Sequence, residues 1–296
     1  MVGAVSQEWQ PLGMSDEESA NYEVLVDGVP GWLREPLLLW IAEVLRSPKD
    51  PRLLSTSALS GAQSALRVTL FEGLPTSNGW IPSTATWQHV TALSPLDLLR
   101  LADWLLAHEP RGPFKGYAAS PTDLEQTLAA ARSKWRVEGG AGGLWRLVER
   151  VPEGVRLAVE DTVAKLGDAG RVLARAWYRV HAMTPDPPGA YADVVKVVEN
   201  ASVPRVVPNN TSATLGHVLG EMKANGDWRL PLREHAEAPG PEMVLMMLRT
   251  LWFGHRDRHG GVNYADVTQE EARSAVTLGA TLVDWFGSGT LTRRSR

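Results

Sequence analysis

His255 and His259 stand four residues apart, with Arg256, Asp257 and Arg258 between them and glycines at 254, 260 and 261 around them. Histidine titrates near neutral pH and can take or give a proton. Arginine presents a planar fork of donors that matches a phosphate. These are ingredients for cutting RNA without a metal. One group must take the proton of the 2′-hydroxyl, and cations must meet the charge that develops on the phosphate. Arg249, six positions before His255, adds a third arginine to the set.

Two other readings use the same residues. The four-residue step between His255 and His259 is one that zinc ligands use on a helix. The flanking glycines oppose a continuous helix there, no cysteine can assist, and no acid of the zincin type lies between the histidines. No metal is therefore assigned. The second reading is a solvated connection between helices, where charge is common and basic groups complement a helix C-terminus.

The elements that would position this segment follow from apolar spacing. Tyr191, Val194, Val195 and Val198 recur at helical intervals, as do Leu215, Val218, Leu219 and Met222. Val244, Met247, Leu248 and Leu251 mark a third helix, which ends on Trp252. A fourth starts at the capping-box pair Thr268 and Glu271 and carries Ala272, Ala275, Val276, Leu282, Val283 and Phe286. Four amphipathic helices must bury their faces on one another, so a bundle is expected. The histidine segment is the connection before its last helix. Trp252 is expected to be substantially buried.

The upstream chain reads as a helical region. Leu33, Leu37, Trp40, Ile41 and Val44 predict a helix to about Arg46. Ser94-Pro95 and Ser120-Pro121 each give an N-cap serine followed by a first-turn proline. The stretches from Ser47 to Gly61 and from Leu74 to Trp87 read as loops. A glycine-rich turn between two short Trp-containing runs predicts a β-hairpin near 134–151. Helices are expected near 153–167 and 169–182.

The fold class is thus mostly α. The expected divisions are a disordered 1–20, a helical N-terminal region with the hairpin at 21–183, the bundle at 184–288, and a basic tail at 289–296. The chain has no cysteine, which excludes disulfides and thiolate chemistry. No signal pattern opens it, and its longest apolar run is too short to span a bilayer. A soluble, cytoplasmic protein without membrane contact is expected. Residues 1–169 carry 15 basic and 21 acidic side chains, and residues 170–296 carry 15 and 13. The C-terminal part tolerates a polyanion better.

Residues 187–287 resemble the abortive-infection C-terminal domain of bacterial and phage proteins, within the HEPN superfamily. The likeness lies in "AYADVVKVVENA", in "TLGHVLGEM", and in "RHGG" followed by "VTQEEARSAVTLGATLVDWF". It implies a helical bundle, a homodimer and, in active members, metal-independent endoribonuclease chemistry in phage defence. No cofactor is implied. The superfamily signature is an arginine, four to six residues, then a histidine. Arg249 and His255, with five residues between them, match it. The subfamily's His-Gly step instead matches His259-Gly260, and the position seven residues before His259 is Trp252. A polar residue on an earlier helix often completes such a site, and Glu199 or Asp193 lies on the matching segment. The resemblance therefore implies His259 and then His255 as acid/base candidates, with Arg249 and Glu199 in the site and Arg256 and Arg258 on RNA. The other class of function is a non-catalytic interaction module on the same fold.

Overall fold

A computed structural model describes residues 12–15, 24–73, 79–108, 120–139, 144–165, 167–210, 212–225, 228–233, 240–255 and 266–293. The protein is mostly helical, with short antiparallel strand pairs. The chain divides into two compact units. One holds the residues up to Gly139 together with Leu144–Arg150, and the other begins at Val151.

The first unit contains α1 (Gly31–Leu45), β1 (Leu53–Ser55), α2 (Thr56–Leu66), β2 (Trp80–Pro82), α3 (Thr84–Thr91), α4 (Pro95–His108), α5 (Pro121–Ala130), β3 (Trp135–Gly139) and β4 (Trp145–Glu149). Both serine-proline starts open helices as expected. The Ser94 hydroxyl accepts the Asp97 amide at 3.1 Å. Ser120 and Asp123 form a reciprocal capping box. The β3–β4 hairpin pairs Trp135 with Glu149 and Gly139 with Trp145. It is fastened to α4 by the buried Asp103, whose carboxylate accepts Arg146 Nη2 at 2.8 Å and the Leu147 amide at 2.7 Å.

Two stretches read as loops are structured. Ser47–Gly61 contains β1 and the start of α2, and Leu74–Trp87 contains β2 and the start of α3. Leu54 pairs with Ile81 across the two strands, and both are buried. Strands of three residues carry too little periodicity to outweigh their serine and proline neighbours.

The second unit contains α6 (Glu153–Lys165), α7 (Asp168–His181), α8 (Pro187–Val206), α9 (Leu215–Ala224), β5 (Trp228–Arg229), α10 (Gly240–Gly254), α11 (Gln269–Ser288) and β6 (Thr292–Arg293). All four helices read from the apolar stripes are present. Val194, Val197 and Val198 of α8 share one core with Leu248 and Leu251 of α10 and with Val276, Val283 and Phe286 of α11. Each fully buried side chain of this size contributes about 1.5–3 kcal/mol. Gly279 lets α11 close on α8, because a Cβ there would collide with Val194. The Thr268–Glu271 capping box forms, with the Glu271 carboxylate accepting the Thr268 amide at 2.9 Å.

The unit is longer at both ends than the stripes implied. Residues 151–181, grouped by the sequence with the N-terminal region, supply α6 and α7. Leu173, Ala176, Trp177 and Val180 of α7 join the bundle core. At the other end Thr292–Arg293 pairs with Trp228–Arg229, and Leu291 is buried. The first residues of the basic tail are therefore ordered by β5. Of the segment 1–20, only residues 12–15 are among the described residues, and residues 294–296 of the tail are not. No helix among the described residues is long and apolar enough to cross a membrane.

Candidate functional site

The C-terminal turn of α10 sits between α8 and α9. Its carbonyls have no partner within the helix. One of them, that of Leu251, accepts the Tyr191 hydroxyl at 3.0 Å in a buried hydrogen bond. Gly254 makes this contact possible, since a Cβ at that position would strike the Tyr191 hydroxyl. His255 follows directly, and its ring lies parallel to that of Tyr191, with centroids 5.5 Å apart and an interplanar angle of 5°. A titratable side chain is thereby held against a fixed aromatic surface, half-buried, at the mouth of the 256–265 connection.

On the α9 side, Trp252 packs over Gly216. A Cβ on Gly216 would come within 3.2 Å of the indole. Trp252 is half-buried against the bundle core, so its expected burial is only partly realised. It lies at the rim of that core.

Glu199 approaches the same α9 terminus from α8. Its carboxylate accepts the Leu215 amide at 2.7 Å. This amide belongs to the first turn of α9, which has no carbonyl of its own to bond. Thr214 and His217 complete the terminus, with the Thr214 amide donating to His217 Nδ1 at 3.1 Å. His217 therefore uses Nδ1 as an acceptor and leaves Nε2 to carry the proton in the neutral ring. Its side chain is exposed. The sequence reading passed over His217. The signal was the capping-box interval from Thr214, with histidine in the place of the usual acid.

Arg249 projects from another side of α10 than the turn holding His255. Arg249 and Gly254, the last residue of α10, are five helical positions apart, which puts their side-chain directions about 140° apart around the axis, and His255 follows beyond the helix end. The arginine–histidine spacing thus does not put both groups on one face. Arg249 is half-buried, and no hydrogen bond or ion pair among the described residues engages it.

Asp193, the other acid on α8, is committed elsewhere. Its side chain is 3% exposed, and two arginines of α7 close on it. Arg175 donates through Nε at 2.6 Å and Nη2 at 2.7 Å, and Arg179 Nη1 lies 3.1 Å away. Hydrogen bonding to Asp193 raises the Arg175 guanidinium above the ordinary arginine pKa. The sequence did not single out this cluster, because its partners come from a helix assigned to the other region.

Of the sequence-derived site, His255, Arg249 and Glu199 are described. His259, Arg256 and Arg258 lie outside the described residues. The structure brings His255 and Trp252 to one corner, together with the α9 terminus that Glu199 binds. Among the described residues no cluster of histidine, aspartate and glutamate is arranged to hold a metal ion. Comparison with protein-family models, with curated proteins and with solved structures gives no match.

Proposed function

We propose that the second unit is a HEPN-type bundle that engages RNA and cuts it without a metal, as a homodimer acting against foreign genetic elements. The observation that supports this most is the setting of His255. Its ring is fixed on Tyr191 at the end of α10, on the helix that also carries Arg249. In this reading a histidine of the 255–259 segment takes the 2′-hydroxyl proton. The 2′-oxygen then attacks phosphorus, and the 5′-oxygen departs with a proton returned to it. Arg256, Arg258 and Arg249 offset the charge on the phosphate. His259 is the first candidate for the proton transfer and His255 the second. Glu199 serves structure in this scheme, as the partner of α9.

A second reading is a non-catalytic interaction module on the same fold. It is favoured by Trp252, which stands where an arginine would be spaced to His259, and by the structural use of Glu199. The deciding experiment incubates total RNA and a defined single-stranded RNA with the full chain in the presence of chelator. Under the lead reading the wild type cuts, and His259→Ala or His255→Ala loses at least about a hundredfold in rate, the low end for general acid–base catalysis. An inert wild type that still binds RNA or a protein gives the second reading.

A further inference from the structure

Helix α10 carries apolar residues on two opposite faces. Val244, Leu248 and Leu251 are buried in the bundle core. On the other side Met243, Met246 and Phe253 are exposed, at 38%, 56% and 69%. With Thr250 they follow at steps of three, four and three residues, the spacing of a seam between two helices. Thr250 is the one polar member of the stripe. Its hydroxyl donates to the Met246 carbonyl at 2.9 Å, so covering the stripe strands no hydroxyl proton. A helix that serves its own bundle needs a single apolar face. The outward stripe of α10 is a second one.

Charge decides what covers it. Glu242, exposed, and Arg249, half-buried, line one flank of the stripe. They are seven residues apart, which sets them about 20° apart around the axis and about 10.5 Å apart along it. No hydrogen bond or ion pair among the described residues engages either of them. Charges on the flanks of a helix seam set its orientation. A parallel pair of α10 helices brings Glu242 level with Glu242 and Arg249 level with Arg249. An antiparallel pair about a two-fold axis between Leu245 and Met246 brings Glu242 of each copy level with Arg249 of the other, on the same flank. Both charges then find partners, twice over. The axis also brings the two Met246 side chains together. Phe253 of each copy comes to the start of α10 in the other, where Gly240 has no side chain to obstruct it. The stripe is thus complementary to itself, as a two-fold contact requires.

We infer that the outward stripe of α10 is the contact between two copies of this chain, paired antiparallel. This rests on the homodimer of the reading above and gives that dimer its surface and its orientation. The first turn of α10 in one copy then lies along the last turns of α10 in the other, just ahead of His255. Glu242 of the second copy is thereby added to the histidine corner of the first, next to Arg249. A guanidinium has five donors, so one edge of Arg249 can hold that carboxylate while another meets a phosphate. The exposed face of α1, with Trp32 67% and Leu39 64% exposed, is the competing surface. Its Glu43 and Arg46 already pair within the helix at 2.6 Å. A bilayer is the weaker match for α10, because one acid and one base on the flank leave no cationic surplus for anionic head groups.

The test is sedimentation equilibrium of the full chain over about 1–100 μM. The wild type should pass from one chain to two as concentration rises, since a single helix pair lies at the small end of protein interfaces. Met246→Glu sets two carboxylates against each other at the axis and should weaken the dimer at least about tenfold. Leu39→Glu makes the same change on α1 and should leave it within about twofold. Glu242→Arg and Arg249→Glu should each weaken it about tenfold. Both changes in one chain exchange the charges and should return the dimer to within about threefold of wild type. Met246 and Glu242 are exposed, so their variants test the contact even where Arg249→Glu alone does not fold. A wild type that stays single throughout overturns the pairing, and so does one that stays single and floats with phosphatidylserine vesicles. A dimer that survives Met246→Glu and is lost with Leu39→Glu overturns it and moves the contact to α1. Failure of the folded double variant to recover overturns the antiparallel register. If the wild type dimerises in this way and leaves RNA intact under chelator, the pairing stands and the nuclease reading falls. If it cuts RNA as a single chain, the nuclease chemistry stands and the pairing falls.

Discussion

Glu199 of α8 accepts the backbone amide of Leu215, the first residue of α9, at 2.7 Å. A carboxylate at a helix N-terminus is favoured twice, by the hydrogen bond and by the helix dipole. Removing it leaves a part-buried amide without its acceptor. Glu199→Ala should lower unfolding free energy by about 1–2 kcal/mol. Glu199→Gln retains an acceptor oxygen without the charge and should cost about half as much. Urea denaturation checks both values. RNA cleavage, corrected for the folded fraction, should be unchanged by Glu199→Gln. A loss of cleavage at full stability would return Glu199 to the catalytic set.

Gly254 and Tyr191 form a matched pair. Gly254→Ala places a methyl group where the Tyr191 hydroxyl now sits. Either the phenol moves and its bond to the Leu251 carbonyl breaks, or the end of α10 shifts. The expected cost is about 2 kcal/mol, within the range for overpacking a core position. Tyr191→Phe removes the hydroxyl and the hydrogen bond and should cost about 1 kcal/mol. In the double variant the added methyl faces the space the hydroxyl vacated. Its cost should fall below the sum of the singles by at least about 1 kcal/mol. A double-mutant cycle from thermal or urea unfolding measures that coupling, and additive losses would show that the two positions do not share the space.

The four bundle helices were legible because each buries one stripe, and a stripe leaves a period in the sequence. The Thr268 cap was legible for a related reason: a capping box is a local bond between residues three apart. The contribution of α7 was not assigned to the bundle, because an amphipathic period shows that a face is buried and not against what. The same limit hid the Arg175–Asp193 pair, whose partners lie 18 residues apart on two helices. In the candidate site, the role of the glycine before His255 became clear only once Tyr191 was seen against it. The arginine–histidine spacing matched a motif, yet the helix ends at Gly254, on another side than Arg249, and His255 stands beyond it. Spacing in sequence is a statement about chemistry only after the backbone conformation is known.

The first unit offers a pH-dependent contact. Lys134 Nζ lies 2.7 Å from Asp27 Oδ2, beside the backbone bridge between Val26 and Ser133. The hydrogen bond from Lys134 holds the Asp27 carboxyl below the ordinary aspartate value. A depressed pKa in the folded state means stability that is present above the unfolded value, near about 3.9, and lost as pH falls through the folded value. The Asp27 side chain is 72% exposed, so solvent screening keeps the contribution near about 0.5 kcal/mol. Asp27→Asn should be less stable than wild type by that amount at neutral pH. The difference should shrink as pH falls below the unfolded value and vanish once the carboxyl is protonated in both states. Paired denaturation curves across this range, at low ionic strength, check both the size and the sign.

The cluster on Asp193 makes an asymmetric prediction. Its carboxylate is almost fully buried, whereas Arg175 is half exposed and Arg179 is 35% exposed. Charge inside the bundle is therefore concentrated on the acid, and the two cations reach water. Asp193→Asn removes the charge that both guanidinium groups face. It also turns an amide donor toward groups that can only donate. Breaking a buried pair from its buried side costs about 3–5 kcal/mol, and the exposure of the arginines places the expected loss at the low end. Arg175→Ala removes one of two partners and leaves Arg179 on the carboxylate, with water able to enter the vacated side. Its expected cost is about 1.5 kcal/mol, the low end for a hydrogen bond to a charged group. The Asp193 variant should therefore unfold at distinctly lower urea than the Arg175 variant. With both arginines replaced by alanine, the carboxylate loses all its cations, and the loss should match or exceed that of Asp193→Asn. Equal, small losses in the Asp193 and Arg175 single variants would mean that the carboxylate is solvated in solution and that the bundle does not depend on this anchor.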